Sequence, residues 1–259
     1  MVDDVTEAKL GPFPYDRALM ARAVEACARD NAKAAVFKFF FDQPRSAAGD
    51  TAFGEAMATL PVALQARLET SEGTDRSIPT RFGFGQQGLA TATSGDRGWI
   101  PLPALLEHAS AVGFVDFNNA AIPLVEEFRG VSYKSLVVCC LELAVNAHAY
   151  AGTGDRIYIG RGYLPVDALN VYRPDLGRLE PLKMISFARL LDGEAKREDI
   201  EGRVVIIGLG SAKAPTLSTQ HGVMGIHRFF VQCLAASYRT LMANQPPEPT
   251  FASGGLHVD

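Results

Sequence analysis

From Ile200 to Leu241 the chain reads IEGRVVIIGLGSAKAPTLSTQHGVMGIHRFFVQCLAASYRTL, and no other stretch restricts the fold as tightly. Arg203-Val-Val-Ile-Ile-Gly208 is a short run of β-branched residues stopped by glycine. It is too short for a buried helix and fits a strand covered on both faces. Gly208-Leu-Gly-Ser211 then allows a tight turn. Small and polar residues continue to Gly222, longer than most connections in α/β units, which points to a functional loop. From Gly225 the spacing of Ile226, Phe230, Cys233, Leu234, Ser237 and Leu241 predicts a helix with one stripe facing the core.

Upstream the same alternation repeats. Leu19, Met20, Ala23, Val24 and Cys27 give Tyr15–Asn31 one apolar face, and Ala34–Phe41 follows as a strand. Lys38 inside that strand is either a buried positive partner for Asp42 or an anionic ligand, or an edge-strand lysine that discourages aggregation. Thr51–Leu60 is expected to be a short helix, Pro61–Leu68 a short strand, and Val112–Phe117 another strand. Val131–Ala149 is expected to form one helix capped at Ser132, with Ser135, Cys139, Glu142 and Asn146 on a narrow line. That line could border a pocket or be the helix's wettest edge. Arg156–Ile159 and Leu164–Val166 predict a hairpin, and Ser186–Leu191 a short helix. Helix–strand alternation predicts an α/β fold: a layered, mixed, largely parallel sheet with helices on both faces. An irregular insertion is expected near residues 61–98, one domain over 1–244, and a linker or disordered tail over 245–259. Residues 1–12 are expected to be a frayed edge.

The order of these segments resembles one family. "GPFPYDRALMARAVEACARDNAKAAVFKFFFDQP", "LLEHASAVGFVDF", "LPVDALNVYRP", "MISFARLLDG" and "GRVVIIG" followed by "GVMGIHRFFVQ" are similar, in order, to the second type of CHASE domain. The name stands for cyclase- and histidine-kinase-associated sensory extracellular domain. The resemblance runs from about Gly11 to Leu241. Three positions depart from its pattern: Ala214-Pro215 where the family usually has an Asp, Thr219-Gln220 where it has Thr-Pro, and Val2-Asp3-Asp4 directly after Met1 where its first strand normally ends in a short acidic pair. The resemblance implies a periplasmic or extracellular sensor without catalysis of its own. It would bind a small ligand or partner protein, pair as a homodimer, and relay the signal to an attached cyclase, kinase or similar output domain. No run of eighteen apolar residues and no secretion signal occurs in the sequence, so the expectation is a sensory domain excised from a receptor, or a free-standing one.

Other chemistries are tested by their motifs. A net charge of −4 leaves no basic footprint for nucleic acid. Gly208-x-Gly210 lacks the third glycine of a dinucleotide fingerprint, with Lys213 in its place and Pro215 opposing an immediate helix. There is no Gly-x-Ser-x-Gly elbow. His221 and His227 are six apart, the wrong spacing for paired metal ligands on a helix, and Cys27, Cys139, Cys140 and Cys233 lack metal-site spacing. The four cysteines are expected to be buried and free. Asp3/Asp4 and Glu126/Glu127 are expected to be solvated surface. No catalytic residue, metal or cofactor is therefore expected. The candidate ligand-binding set is Arg17, Asp42, Asp116, Asn118, Ser211 and His221: Arg17 opens the first helix, and the others follow strand ends. If the strands are parallel, their carboxyl ends share the edge where open α/β folds place ligands. Two alternatives stay open: an α/β hydrolase or transferase using the 208–221 loop, and a structural dimerisation module.

Overall fold

A computed structural model describes residues 1–69, 73–117, 121–153 and 155–246. At its centre four strands run parallel in the order Val204–Ile207, Ala34–Phe37, Val62–Leu68, Ala111–Phe114. Gly98–Trp99 adds antiparallel at the end of Val62–Leu68. Period-two alternation divides these strands between two cores. Ala35, Phe37, Val62 and Leu64 belong to one, packed with Met20, Val24 and Phe53, whereas Val36 and Ala63 belong to the other, packed with Val138, Leu141 and Phe230. Helices α1 (Asp4–Leu10), α2 (Arg17–Arg29), α3 (Ala47–Ala56) and α4 (Pro103–Leu106) contribute to the first core. Helices α5 (Leu136–Val145) and α7 (Ile226–Ala243) cover the other face, while α6 (Phe187–Leu191) joins the first core.

The α/β class therefore stands, with seven α-helices among the described residues. The single, largely parallel layered sheet does not. Among the described residues, parallel ladders are confined to the central strands and the short Ser94–Gly95 pair with Glu127–Phe128, with single parallel bridges at Val2–Leu209 and Phe114–Ser135. The rest is small and antiparallel: Ala149–Ala151 with Arg156–Ile159 and Gly162–Pro165, Val125–Phe128 with Val131–Lys134, and two two-stranded pairs. The stretch near residues 61–98 opens with the short strand expected at Pro61–Leu68, observed as Val62–Leu68 in the central sheet. Between 73 and 97 the only regular elements are a 3₁₀ turn at Thr80–Phe82 and Ser94–Gly95.

Four further expectations are corrected. The start of the chain is anchored, not frayed: Asp3 caps α1 by accepting from the Thr6 N–H at 2.9 Å, and fully buried Val2 bridges to Leu209. The helix expected over Val131–Ala149 is split, because Ser132 and Tyr133 pair with Glu127 and Glu126 in a hairpin. The cap moves to Ser135, whose hydroxyl accepts from the Val138 N–H at 3.3 Å. The line Ser135–Cys139–Glu142–Asn146 is neither pocket nor wet edge: Cys139 and Glu142 are buried, and Asn146 closes α5 in the left-handed conformation. Glu142 pairs with Lys134 at 2.9 Å and accepts from the Ala149 N–H. Finally, Lys38 follows an interior strand, not an edge, since Ala34–Phe37 is paired on both sides. All four cysteines are buried and free. No helix among the described residues is long and apolar enough to cross a membrane.

Candidate functional site

The long loop after Gly208 folds into a two-stranded hairpin, Thr216–Thr219 with Gly222–Gly225, that runs directly into α7. Gly222 turns it at φ +92°, a conformation that L side chains rarely adopt. The Thr219 hydroxyl donates to the Gly222 carbonyl at 2.8 Å and accepts from the His221 N–H at 3.0 Å. Two side chains fasten the turn to the Leu176 carbonyl: Gln220 Nε2 at 2.8 Å and His221 Nε2 at 2.6 Å. The segment carrying Leu176 is held in turn by α7. Gln232 accepts from the Glu180 N–H at 2.8 Å and donates to its carbonyl at 2.9 Å, and Arg239 pairs with the Glu180 carboxylate.

Between hairpin, segment and helix lies a cavity of about 530 Å³. Leu176, Leu179, Leu217, Met224 and Phe229 make its apolar walls, and Ser218, Thr219, His221 and Gln232 its polar ones. Its volume falls within the range of small-molecule pockets, and one side opens to solvent. A second groove, of about 500 Å³, follows the outer edge of Val204–Ile207 and contains none of the expected site residues.

The cavity adjoins the carboxyl edge of the central sheet through aromatic rings. Phe229 lies 6.5 Å from Phe117, and Phe117 stacks on Phe230 at 5.9 Å. The Lys38 ammonium sits 4.7 Å over the Phe230 ring, and its hydrogen-bond partner is the neutral Gln65 at 3.5 Å. Burial lowers this lysine to about 8, because the charged form has lost its water. Beside it, the His227 ring accepts the Leu209 N–H at Nδ1, 2.9 Å away. Burial first, then the Lys38 charge, pushes His227 down to about 3, so the ring stays neutral. Its closeness explains Gly208: a Cβ there would stand 2.4 Å from His227 Nδ1.

The residues singled out from the sequence are dispersed. Arg17 is buried under the loop after the second strand of the sheet order; it pairs with Asp50 at 2.5 Å, donates to the Gln43 carbonyl and lies over the Phe41 ring. Asp42 accepts from its neighbour Gln43 at 3.1 Å. Asp116 accepts the Leu68 N–H at 3.1 Å and lies 3.8 Å from Arg67. Ser211 is buried in a turn closed by the Ala214 N–H. Asn118 lies outside the described residues. Of the five described, His221 alone lines the cavity. Asp42, Asp116 and Ser211 do follow carboxyl ends of three central strands, but no hydrogen bond or ion pair among the described residues joins them.

Sequence reasoning missed Gln232 and Glu126. Glu126 is fully buried, contrary to the solvated position expected. Its signal was available: in Val125-Glu-Glu-Phe128 a strand period puts Glu126 on the side of Phe128. Among the described residues no group of three His, Cys, Asp or Glu side chains gathers where it could hold a metal ion. Compared with known families, the chain matches the CHASE2 domain over residues 1–241. No curated protein and no solved structure matches it.

Proposed function

Because the chain belongs to the CHASE2 domain family, a family of sensory extracellular domains, we propose that it senses a small ligand outside the cytoplasm and has no catalysis of its own. The ligand enters the cavity under the Thr216–Gly225 hairpin, and α7 carries the effect towards an attached cyclase, kinase or similar output. One observation supports this reading above the others: the cavity's inner wall is α7 itself, through Phe229 and Gln232. Occupancy therefore touches the last helix of the matched domain. The hairpin is fastened at its tip to the Leu176 carbonyl, so a ligand that competes for His221 or Gln220 releases or tightens it. Such a ligand shifts the balance between two arrangements by its differential affinity for them. The lining favours a compact molecule with one apolar side and several hydrogen-bonding groups.

The test is a thermal-shift screen with amino acids, sugars, nucleosides and small carboxylates, run on wild type and on Leu217→Trp, which fills the cavity. At a hundredfold excess over Kd a true ligand adds about 2.7 kcal/mol of stability. That gain should vanish in Leu217→Trp. A compound that stabilises both proteins equally binds elsewhere and removes this cavity from the account.

A further inference from the structure

Three of the four buried side-chain polar atoms that lack a hydrogen-bond partner among the described residues meet at one place: both carboxyl oxygens of Glu126 and the Thr93 hydroxyl. Glu126 is fully buried on the Val125–Phe128 strand, its oxygens make no hydrogen bond of ordinary geometry among the described residues, and the nearest donors are the Thr93 hydroxyl and the Asp116 backbone N–H. A second carboxyl, that of Asp116, faces it from just past the end of the Ala111–Phe114 strand, close enough for each to act on the other's proton. Two carboxylates cannot both stay ionised in contact without water or a cation between them. Glu69 acts on Asp116 only through its charge, and no three acidic, histidine or cysteine side chains among the described residues gather where they could hold a metal ion, so the occupant that the geometry fits is a proton.

We infer that Glu126 and Asp116 share one proton, and that this pair is a proton-operated latch at the carboxyl edge of the central sheet. Glu126 is the donor and Asp116 the acceptor. Asp116 has the weaker claim on the proton: one of its oxygens accepts the Leu68 N–H, and Arg67 stands 3.8 Å from the other. The groups facing the pair come from each neighbouring segment: Arg67 and Glu69 from the end of Val62–Leu68, Thr93 from the segment before Ser94, and Tyr133 in register across the hairpin. Burial and the Asp116 charge both push Glu126 well above the ordinary carboxyl range, and burial pushes Asp116 up as well. Loss of the proton places two like charges in contact and forces the Val125–Phe128 strand from the end of Ala111–Phe114. The inference stands apart from the ligand cavity, which includes neither carboxylate.

The sign follows from linkage. A carboxyl whose proton is held more tightly in the folded state gives most stability below its unfolded pKa, and loses it as pH rises towards the folded one. Through that interval the folding constant falls by up to tenfold per pH unit, one proton per molecule. The experiment is urea unfolding from pH 4.5 to 9 on wild type and Glu126→Gln, which keeps a donor for Asp116 without a titrating proton. The ratio of the two folding constants isolates this carboxyl from every other titrating group. The ratio should change in favour of the variant by tenfold or more as pH rises. A ratio flat across the range overturns the latch. Infrared spectra of wild type carrying ¹³C-labelled glutamate provide a second reading, should the variant fold poorly. A protonated-carboxyl band persisting at pH 7 is expected, and its absence at pH 7 also overturns the proposal. Addition of Ca²⁺ or Mg²⁺ at pH 7 that abolishes the band and stabilises the fold would assign the site to a cation instead, and overturn it likewise.

Discussion

Replacing Lys38 by methionine should stabilise this protein, although it removes a charge and a hydrogen bond. Lys38 is about as buried as the apolar residues around it and has no carboxylate partner among the described residues. Each tenfold loss of proton affinity corresponds to about 1.4 kcal/mol. Holding the ammonium at about 8 instead of its ordinary 10.5 therefore costs the fold about 3 kcal/mol at neutral pH. Two gains are lost with it: the contact with the Phe230 ring, worth about 1 kcal/mol, and the long bond to Gln65, worth under about 1 kcal/mol. Methionine has nearly the same reach and restores the packing. The net expectation is a gain of about 1–2 kcal/mol at pH 7, read as a higher urea midpoint at unchanged slope. The pH dependence makes the test sharper. A lysine whose folded pKa is lowered costs most below about 8, and wild type recovers stability as pH rises from there towards 10.5. The variant's advantage should therefore shrink between pH 8 and 10. A Lys38→Met protein less stable than wild type at pH 7, or equally advantaged at both pH values, refutes the reasoning.

Other consequences follow from the same edge of the sheet. His227, held neutral with its pKa lowered to about 3, stabilises the fold fully above its unfolded value of 6.5 and progressively less as pH falls below it. His227→Gln should flatten the acid limb of a stability–pH curve, and an unchanged limb would contradict the assignment. Gly113→Ala should cost about 1–3 kcal/mol by urea unfolding, since its Cβ would lie 2.4 Å from Leu136 Cα, a backbone atom that cannot turn aside. A neutral result would mean that α5 sits less tightly on the sheet.

What was legible in the sequence was what local pattern controls. The apolar run Val204–Ile207 and the stripe of α7 showed themselves because one is a strand buried among neighbours and the other an amphipathic helix. The hairpin Arg156–Ile159 with Gly162–Pro165 showed itself through Gly160-Arg-Gly162. The failures came where pairing partners lie far away in sequence. Val131–Lys134 has an apolar neighbourhood that suits a helix, but Tyr133 pairs with Glu126 and donates to the Ile78 carbonyl at 2.7 Å. Lys38 suited an edge until Val62–Leu68 paired alongside Ala34–Phe37. The set of site residues rested on a shared strand edge. That edge exists, but the cavity lies beside it, walled by Gln232 and Leu176, whose roles depend on contacts across 45 or more positions in the chain. His221, which lines that cavity, was singled out because it sits in a long polar loop after a strand.

The central claim, that a ligand beneath the hairpin acts on α7, is tested most directly by hydrogen–deuterium exchange with and without a compound that raises the melting temperature. Binding there should change exchange in Thr216–Gly225 and in the first two turns of α7, leaving α2 as it was. Protection confined to another part of the chain, with hairpin and α7 untouched, would contradict it.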